Sequence, residues 1–346
     1  MLENIARNVD RLVTTGAPWG RREDRWKIPS LYDVVYSKLG RSPSLAAAQK
    51  FTEIIKPRDV VFIVTGFATW PRQPLGETDG PLGAASLARA LRLGLGALPM
   101  LICGPKDMGG MRATAQAAGM NTMEYEMAKV TNTTVAAYFT FPFAGKEESR
   151  KIAIDLLDKY KPKAVISVET SGPNKKGIKH SAAGYDGEAI EKMPGVEYLF
   201  LEATPRKIFT VGCIDHGNEL GAGTIEEDVR RISPYADVCR CPCKAGTACS
   251  VKTDIVVPAF VSNWGAYAMS TMMAILLKKL DIFQNAEMEH RMLEACVMAG
   301  ATDGPTGRLD LLVDGHTYQA NEGLVSFLNC IILNGLMEKT IDSFSR

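Results

Sequence analysis

Residues 59–66 read DVVFIVTG, a run apolar along almost its whole length. Such a run fits a strand covered on both faces, because a half-exposed strand or a surface helix would show polar residues at a period of 2 or 3.6. Four more short runs follow: Pro99 to Cys103 (PMLIC), Ala164 to Val168 (AVISV), Lys207 to Ile214 (KIFTVGCI) and Asp254 to Phe260 (DIVVPAF). Helical stretches surround them: Leu45 to Lys56, stopped by Pro57, then Leu82 to Leu95, Glu147 to Tyr160, Thr224 to Ile232 and Trp264 to Leu280. Strands alternating with helices predict an α/β fold, a mostly parallel, doubly wound sheet with helices on both faces. Leu309 to Gln319 breaks the alternation, and its Asp314-Gly315 pair predicts a hairpin at the sheet edge.

No low-complexity linker or fixed-period repeat divides the 346 residues. We expect a single α/β domain, with residues 1–43 as an N-terminal extension and 44–340 as the core. Forty Lys and Arg against 39 Asp and Glu leave a net charge of +1, which gives no electrostatic case for nucleic acid or a membrane surface. The basic group Arg21, Arg22, Arg25 and Lys27, broken by Glu23, Asp24 and Trp26, reads as a solvated or packing segment. Charged residues interrupt Met1 to Leu12, which therefore lacks the apolar run of a secretory signal. The longest apolar stretch, Ala266 to Leu277, falls short of the roughly 20 residues that span a bilayer and reads as a buried helix. The expectation is a cytoplasmic protein with a small-molecule substrate, its cysteines reduced or metal-bound, and with apolar content enough for homo-oligomerisation.

Ligands of open α/β sheets gather beyond the C-terminal strand ends, and the informative motifs lie there. Thr65-Gly66 leads into a long loop ending Glu77-Thr78-Asp79-Gly80-Pro81, where Asp79 reads as a helix N-cap and the turn's two carboxylates, Glu77 and Asp79, also suit a cation or ammonium group. Glu169 ends the third run, and a carboxylate buried there needs a partner or a metal. Pro173 to Gly187, holding Lys175, Lys176, His180, Tyr185 and Asp186, reads as a lid or a solvated loop. Residues 212–223 (GCIDHGNELGAG) are the most informative: four glycines permit close backbone approach, Asp215 and Glu219 offer oxygens, and Asn218 an orienting amide. Thr224 and Glu227 predict a capping box after them. There is neither a Walker loop nor a dinucleotide fingerprint. Asn263 caps the next helix or, with the Trp264 indole, faces the strand-end crevice; Glu322 sits in a first helical turn.

Cys239, Cys241, Cys243 and Cys249 crowd into eleven residues. Their spacing is not that of a zinc ribbon, so a zinc site, redox thiols and an ion-free loop all stay open. Cys103, Cys213, Cys296 and Cys330 lie among apolar residues and read as inert core.

In this order, TGF…ETDGPLGA (65–84), VETSG (168–172), DHGNELGAG (215–223), VSNWGAYA (261–268) and VDG…ANE (313–322) resemble the D-glutamate cyclase family. The resemblance implies dehydration of D-glutamate to 5-oxo-D-proline, at a site formed by Asp79, Glu169, Asp215, Asn218, Glu219, Asn263 and Glu322. Two features depart from the family pattern: Thr170 stands where members carry Arg, and the cysteine-rich stretch looks inserted. The reaction must activate a poor electrophile, so we assign Asp215, Glu219 and Glu169 as ligands of Mg²⁺ or Mn²⁺. Glu169, Glu322 and Asn218 are the catalytic candidates, with Thr65, Gly66, Asp79, Asn263 and Gly217 holding substrate. The alternatives are a Mg²⁺- or Mn²⁺-dependent hydrolase of a phosphoester or lactam, and a metal or redox sensor built on the cysteines.

Overall fold

The computed structural model describes residues 1–16, 26–68, 72–185 and 193–337; Arg21, Arg22, Arg25 and Asp186 of the motifs above lie outside them. Seven strands form one sheet: β1 (Val60–Thr65), β2 (Leu98–Cys103), β3 (Asn121–Met123), β4 (Val135–Thr140), β5 (Ala164–Val168), β6 (Phe209–Ile214) and β7 (Ile255–Pro258). Five of them are the apolar runs. The other two escape sequence reasoning for physical reasons: β3 is three residues long, and β4 holds two alanines and leaves Tyr138, Phe139 and Thr140 partly exposed.

The strand order is β3-β4-β2-β1-β5-β6-β7, and every pairing is parallel. From β1 the chain winds one way through β2 and the other way through β5. The crevice beyond the C-terminal ends of β1 and β5 is therefore the topological switch point, where such sheets bind ligands. Thr65 pairs with Val168, and Val168 with Cys213. This register brings Gly66, Glu169 and Ile214 level at the strand ends, with Asp215 one residue beyond.

Three helices precede the sheet: α1 (Leu2–Val13), α2 (Lys27–Leu39) and α3 (Pro43–Ile54). The first two, in a segment whose periodicity is weak, are ordered by packing, α1 on α3 and α2 against β7. After β1 come α4 (Pro81–Leu95), α5 (Met108–Ala117), α6 (Tyr125–Val130), α7 (Lys146–Tyr160), α8 (Glu197–Ala203), α9 (Glu226–Ile232), α10 (Ser262–Leu277), α11 (Ala286–Met298) and α12 (Tyr318–Leu336). Right-handed crossovers that run outward in opposite directions place α4 and α5 on one face and α6, α7 and α8 on the other, while α9 packs on α2. Helix α10 is buried from Ser262 to Ile275, as a helix apolar all round should be, and packs on α4, α3, α1 and α12. A Cβ on Gly83 would lie 2.7 Å from Asn263 Cα, so glycine lets the N-termini of α4 and α10 abut.

The hairpin forms as a separate two-stranded sheet, β8 (Leu312–Val313) and β9 (His316–Thr317). Thr78 donates through Oγ1 to Leu312 O (2.8 Å), which ties the hairpin to the β1–α4 loop.

Candidate functional site

Two helix N-termini cap one another at the switch point. Asp79 precedes α4 but caps α10: its carboxylate accepts from Ser262 N (2.9 Å) and Asn263 N (2.8 Å), as well as from Gly80 N (2.9 Å). Asn263, in α10, caps α4: Oδ1 accepts from Gly80 N (2.8 Å) and Gly83 N (2.6 Å), while Nδ2 donates to Thr78 O (3.0 Å). Each residue thus satisfies the orphan donors of the other's helix. The expectation that each caps its own helix is corrected, because the two helix starts face each other across the crevice.

Ser262 adds a second acid to this junction, donating through Oγ to Glu169 Oε2 (2.6 Å). Glu169 has φ +47°, a left-handed conformation that is strained for a glutamate and is held here by the surrounding contacts. Carboxylate oxygens of Asp79, Glu169 and Asp215 all lie within 4.8 Å of one another, and all three residues are buried. Burial is the first cause that drives their pKa values well above the ordinary carboxylate range, and mutual repulsion is the next: Asp215 and Glu219 act on Glu169, Glu219 on Asp215, and Asp314 on Asp79. So many carboxylates cannot all be charged in a dry space unless protons or cations share it.

Glu219 is wholly buried and closes its own loop: its oxygens accept from His216 N (3.1 Å) and Gly217 N (2.7 Å). Asp215 accepts from His216 Nδ1 (2.7 Å), and Asp215, His216 and Glu219 form a second donor group within 4.8 Å. Gly217 packs so closely on Val229 that no Cβ fits, which makes it a structural member of the loop. Asn218 Nδ2 donates to His180 O (3.1 Å), whereas its Oδ1 is buried and has no protein partner. Thr65 Oγ1 is likewise buried and unpaired. Buried polar atoms are normally satisfied, so these two are natural contacts for a polar ligand. Gly66, at φ +114°, approaches Asp107 so closely that a Cβ would sit 2.7 Å from its Cγ. Burial holds Asp107 up at about 7.

Three residues join the site that the sequence did not mark, Ser262, Asp314 and Lys27, and Glu77 joins it as the second acid of its glycine-bordered turn. Ser262 lay inside a motif noticed for its neighbours. Glu77 accepts from Gln73 Nε2 (2.6 Å), and burial followed by Asp314 raises it well above the usual range. Asp314, the hairpin turn residue at φ +47°, is raised by burial and by Asp215. Lys27, at the start of α2, is the buried cation whose field opposes these shifts at Asp215. An acid in a turn and a lysine 188 positions before Asp215 give no sequence signal of proximity.

Other expectations are corrected. Glu322 pairs with His290 Nδ1 (2.7 Å), away from the carboxylates, because the inward position of α12 is taken by Asn321, which accepts from Trp264 Nε1 (2.9 Å). The Trp264 indole is thus spent on α12 rather than on the crevice. No capping box forms: Thr224 lies inside a short 3₁₀ turn and donates to Thr253 O (2.8 Å). Cys103, Cys213 and Cys296 are buried as expected, but Cys330 is exposed. Cys249 packs against Gly172, apart from Cys239, Cys241 and Cys243, and the residue that joins those three is His180. The segment from Pro173 is therefore anchored at His180, which is fully buried.

The human protein named D-glutamate cyclase, mitochondrial, is 29% identical over 230 residues, which is 62% of this chain and 33% of that protein. The chain spans about a third of that relative's length. A family model described as D-glutamate cyclase-like, C-terminal, matches residues 36–329, a span that holds every carboxylate of the switch-point cluster; the chain belongs to that family.

Proposed function

We propose that this chain closes D-glutamate to 5-oxo-D-proline with loss of water, at the carboxylate cluster of Asp79, Glu169 and Asp215. The observation that supports it best is the convergence of those three buried carboxyls at the switch point, with two unpaired polar atoms nearby. An all-oxygen donor set suits a hard divalent cation, Mg²⁺ or Mn²⁺, over zinc. The three carboxylate oxygens, within 4.8 Å of one another, lie close enough for one such cation to be held between them. Asp79 and Asp215 are the proposed ligands, with Glu219 fixing the loop that carries Asp215. When bound, such a cation supplies Lewis acidity toward a substrate carboxylate.

The chain's own groups account for the protons. The α-ammonium must lose a proton before its nitrogen can attack the γ-carboxyl carbon; a C–N bond forms, a C–O bond breaks, and the departing oxygen leaves as water. A carboxylate whose pKa is raised well above its ordinary range can relay both nitrogen protons, one lost before attack and one after the C–N bond forms, to the departing oxygen, which needs both to leave as water. Glu169 fits that role, since Ser262 fixes its orientation. Thr65 Oγ1 and Asn218 Oδ1, both buried without a protein partner, are the acceptors we assign to the substrate's ammonium group.

Proton NMR of D- and L-glutamate, incubated with metal-stripped protein and then with Mg²⁺ or Mn²⁺, tests this reading. Metal-dependent 5-oxoproline from the D-form, abolished in Asp215→Ala with the fold intact by circular dichroism, is the expected result. Absence of product with either metal refutes it. Turnover of a phosphomonoester or of 5-oxoproline itself would instead favour the hydrolase alternative.

A further inference from the structure

The cysteine-rich stretch has its own geometry, remote in chemistry from the carboxylates. Cys239 Sγ lies 3.4 Å from Cys241 Sγ and 3.3 Å from Cys243 Sγ. His180 Nε2 lies 3.1 Å from Cys241 Sγ and 3.6 Å from Cys243 Sγ. All four donor atoms fall within 4.8 Å of one another, three of the residues are buried, and Cys243 is partly so. A tetrahedron with Zn–S of about 2.3 Å and Zn–N of about 2.0 Å has S···S edges of about 3.8 Å and S···N edges of about 3.5 Å. The four observed edges lie within about 0.5 Å of those values.

We propose that Cys239, Cys241, Cys243 and His180 bind one zinc ion in a closed, four-ligand structural site. The surroundings are those of a metal centre rather than of ordinary thiols. His180 Nδ1 sits 3.1 Å from Ile178 O, which places the ring proton on Nδ1 and turns the Nε2 lone pair toward the sulfurs. N–H groups point at the sulfurs from three places: Cys243 N to Cys241 (3.4 Å), Ala245 N to Cys243 (3.5 Å) and Asn174 Nδ2 to Cys243 (3.6 Å). Such donors stabilise thiolate, the form that ligates. Three thiolates and a neutral imidazole leave a net charge of −1 on the centre. Lys176 and Lys244 lie beside it, donating through Nζ to Cys243 O (2.8 Å) and Arg240 O (3.2 Å). Soft sulfur ligands in a compact tetrahedral set select zinc over the hard cations suited to the carboxylates. All four coordination positions are supplied by protein, so the site has no opening for substrate.

The zinc would join two loops that the sheet does not. His180 belongs to the loop that follows Glu169, and the three cysteines to the stretch between α9 and β7. The His180 carbonyl accepts from Asn218 Nδ2 (3.1 Å) and Ser171 Oγ (3.3 Å), so a metal that fixes His180 also positions Asn218 beside the carboxylate cluster. Metal binding couples to folding in zinc sites of this kind, so the ion would order the loop that carries its ligands.

The test is elemental analysis of the purified chain, followed by exchange with Co²⁺. We expect about one zinc per chain. The cobalt form should show a sulfur-to-cobalt charge-transfer band and intense tetrahedral d–d bands, which an all-oxygen site cannot produce. Cys241→Ser and His180→Ala should lose that signature, and Cys249→Ala should keep it. Absence of zinc and of the cobalt bands in the parent protein would overturn the proposal, as would iron in place of zinc. So would full metal content in Cys241→Ser, or a count of six thiols rather than eight in the denatured, chelated chain, which would mark a disulfide. None of these readouts depends on turnover, so they stand apart from the test of the cyclase reading.

Discussion

Replacing Asn263 with alanine tests the reciprocal cap directly. The side chain is 1% exposed, and all of its hydrogen bonds go to backbone groups at the start of α4. Alanine would strand the Gly83 N–H and the Thr78 carbonyl, while Gly80 N keeps its bond to Asp79. Each buried group left unpaired costs about 1–3 kcal/mol, so the loss is about 2 kcal/mol at its smallest. That stands at the top of the roughly 0.5–2 kcal/mol of an ordinary N-cap deletion, because the cap works between two buried helices. Urea unfolding followed by circular dichroism reads the difference directly, with parallel transitions showing that the slope is unchanged. Asn263→Asp is the control: it keeps the acceptor for both N–H groups, loses the donor to Thr78 and adds charge beside Asp79, so it should fall between. A loss below about 1 kcal/mol in the alanine variant would refute the cap and return Asn263 to the role of a substrate contact.

Two further outcomes follow from the same geometry. Thr65→Val removes a buried hydroxyl that has no protein partner, so stability should hold or rise while KM for D-glutamate increases; unchanged KM would remove Thr65 from the site. Burial raises Asp107 from 3.8 to about 7 and Glu289 from 4.5 to about 7. A carboxyl raised in the folded state keeps its proton longer there than in the unfolded chain. Its contribution is therefore complete below the ordinary carboxylate pKa and is lost as pH rises through about 7. Unfolding free energy of the metal-free protein should fall by about 1.4 kcal/mol per pH unit for each group across that window. Asp107→Asn should flatten the profile, and an equally steep slope in that variant would refute the assignment.

The sequence by itself determined the sheet and its chemistry-bearing edge. Runs such as VVFIVT and AVISV are apolar throughout, and only a doubly covered parallel sheet buries them on both sides. Strand-end acids such as Glu169 and Asp215 were legible because a carboxylate after an apolar strand is costly without a partner. What tertiary structure decided was which of these groups meet. Asp79 and Asn263 each exchange helices because α4 and α10 start face to face, a relation between residues 184 positions apart. Asp314 enters the cluster through a hairpin tied to Thr78, and Glu322 leaves it because helical phase turns Asn321 inward. His180 replaces Cys249 beside the cysteines for the same reason: spacing along the chain fixes which residues are near in sequence, and only packing brings two loops of different strands to one point.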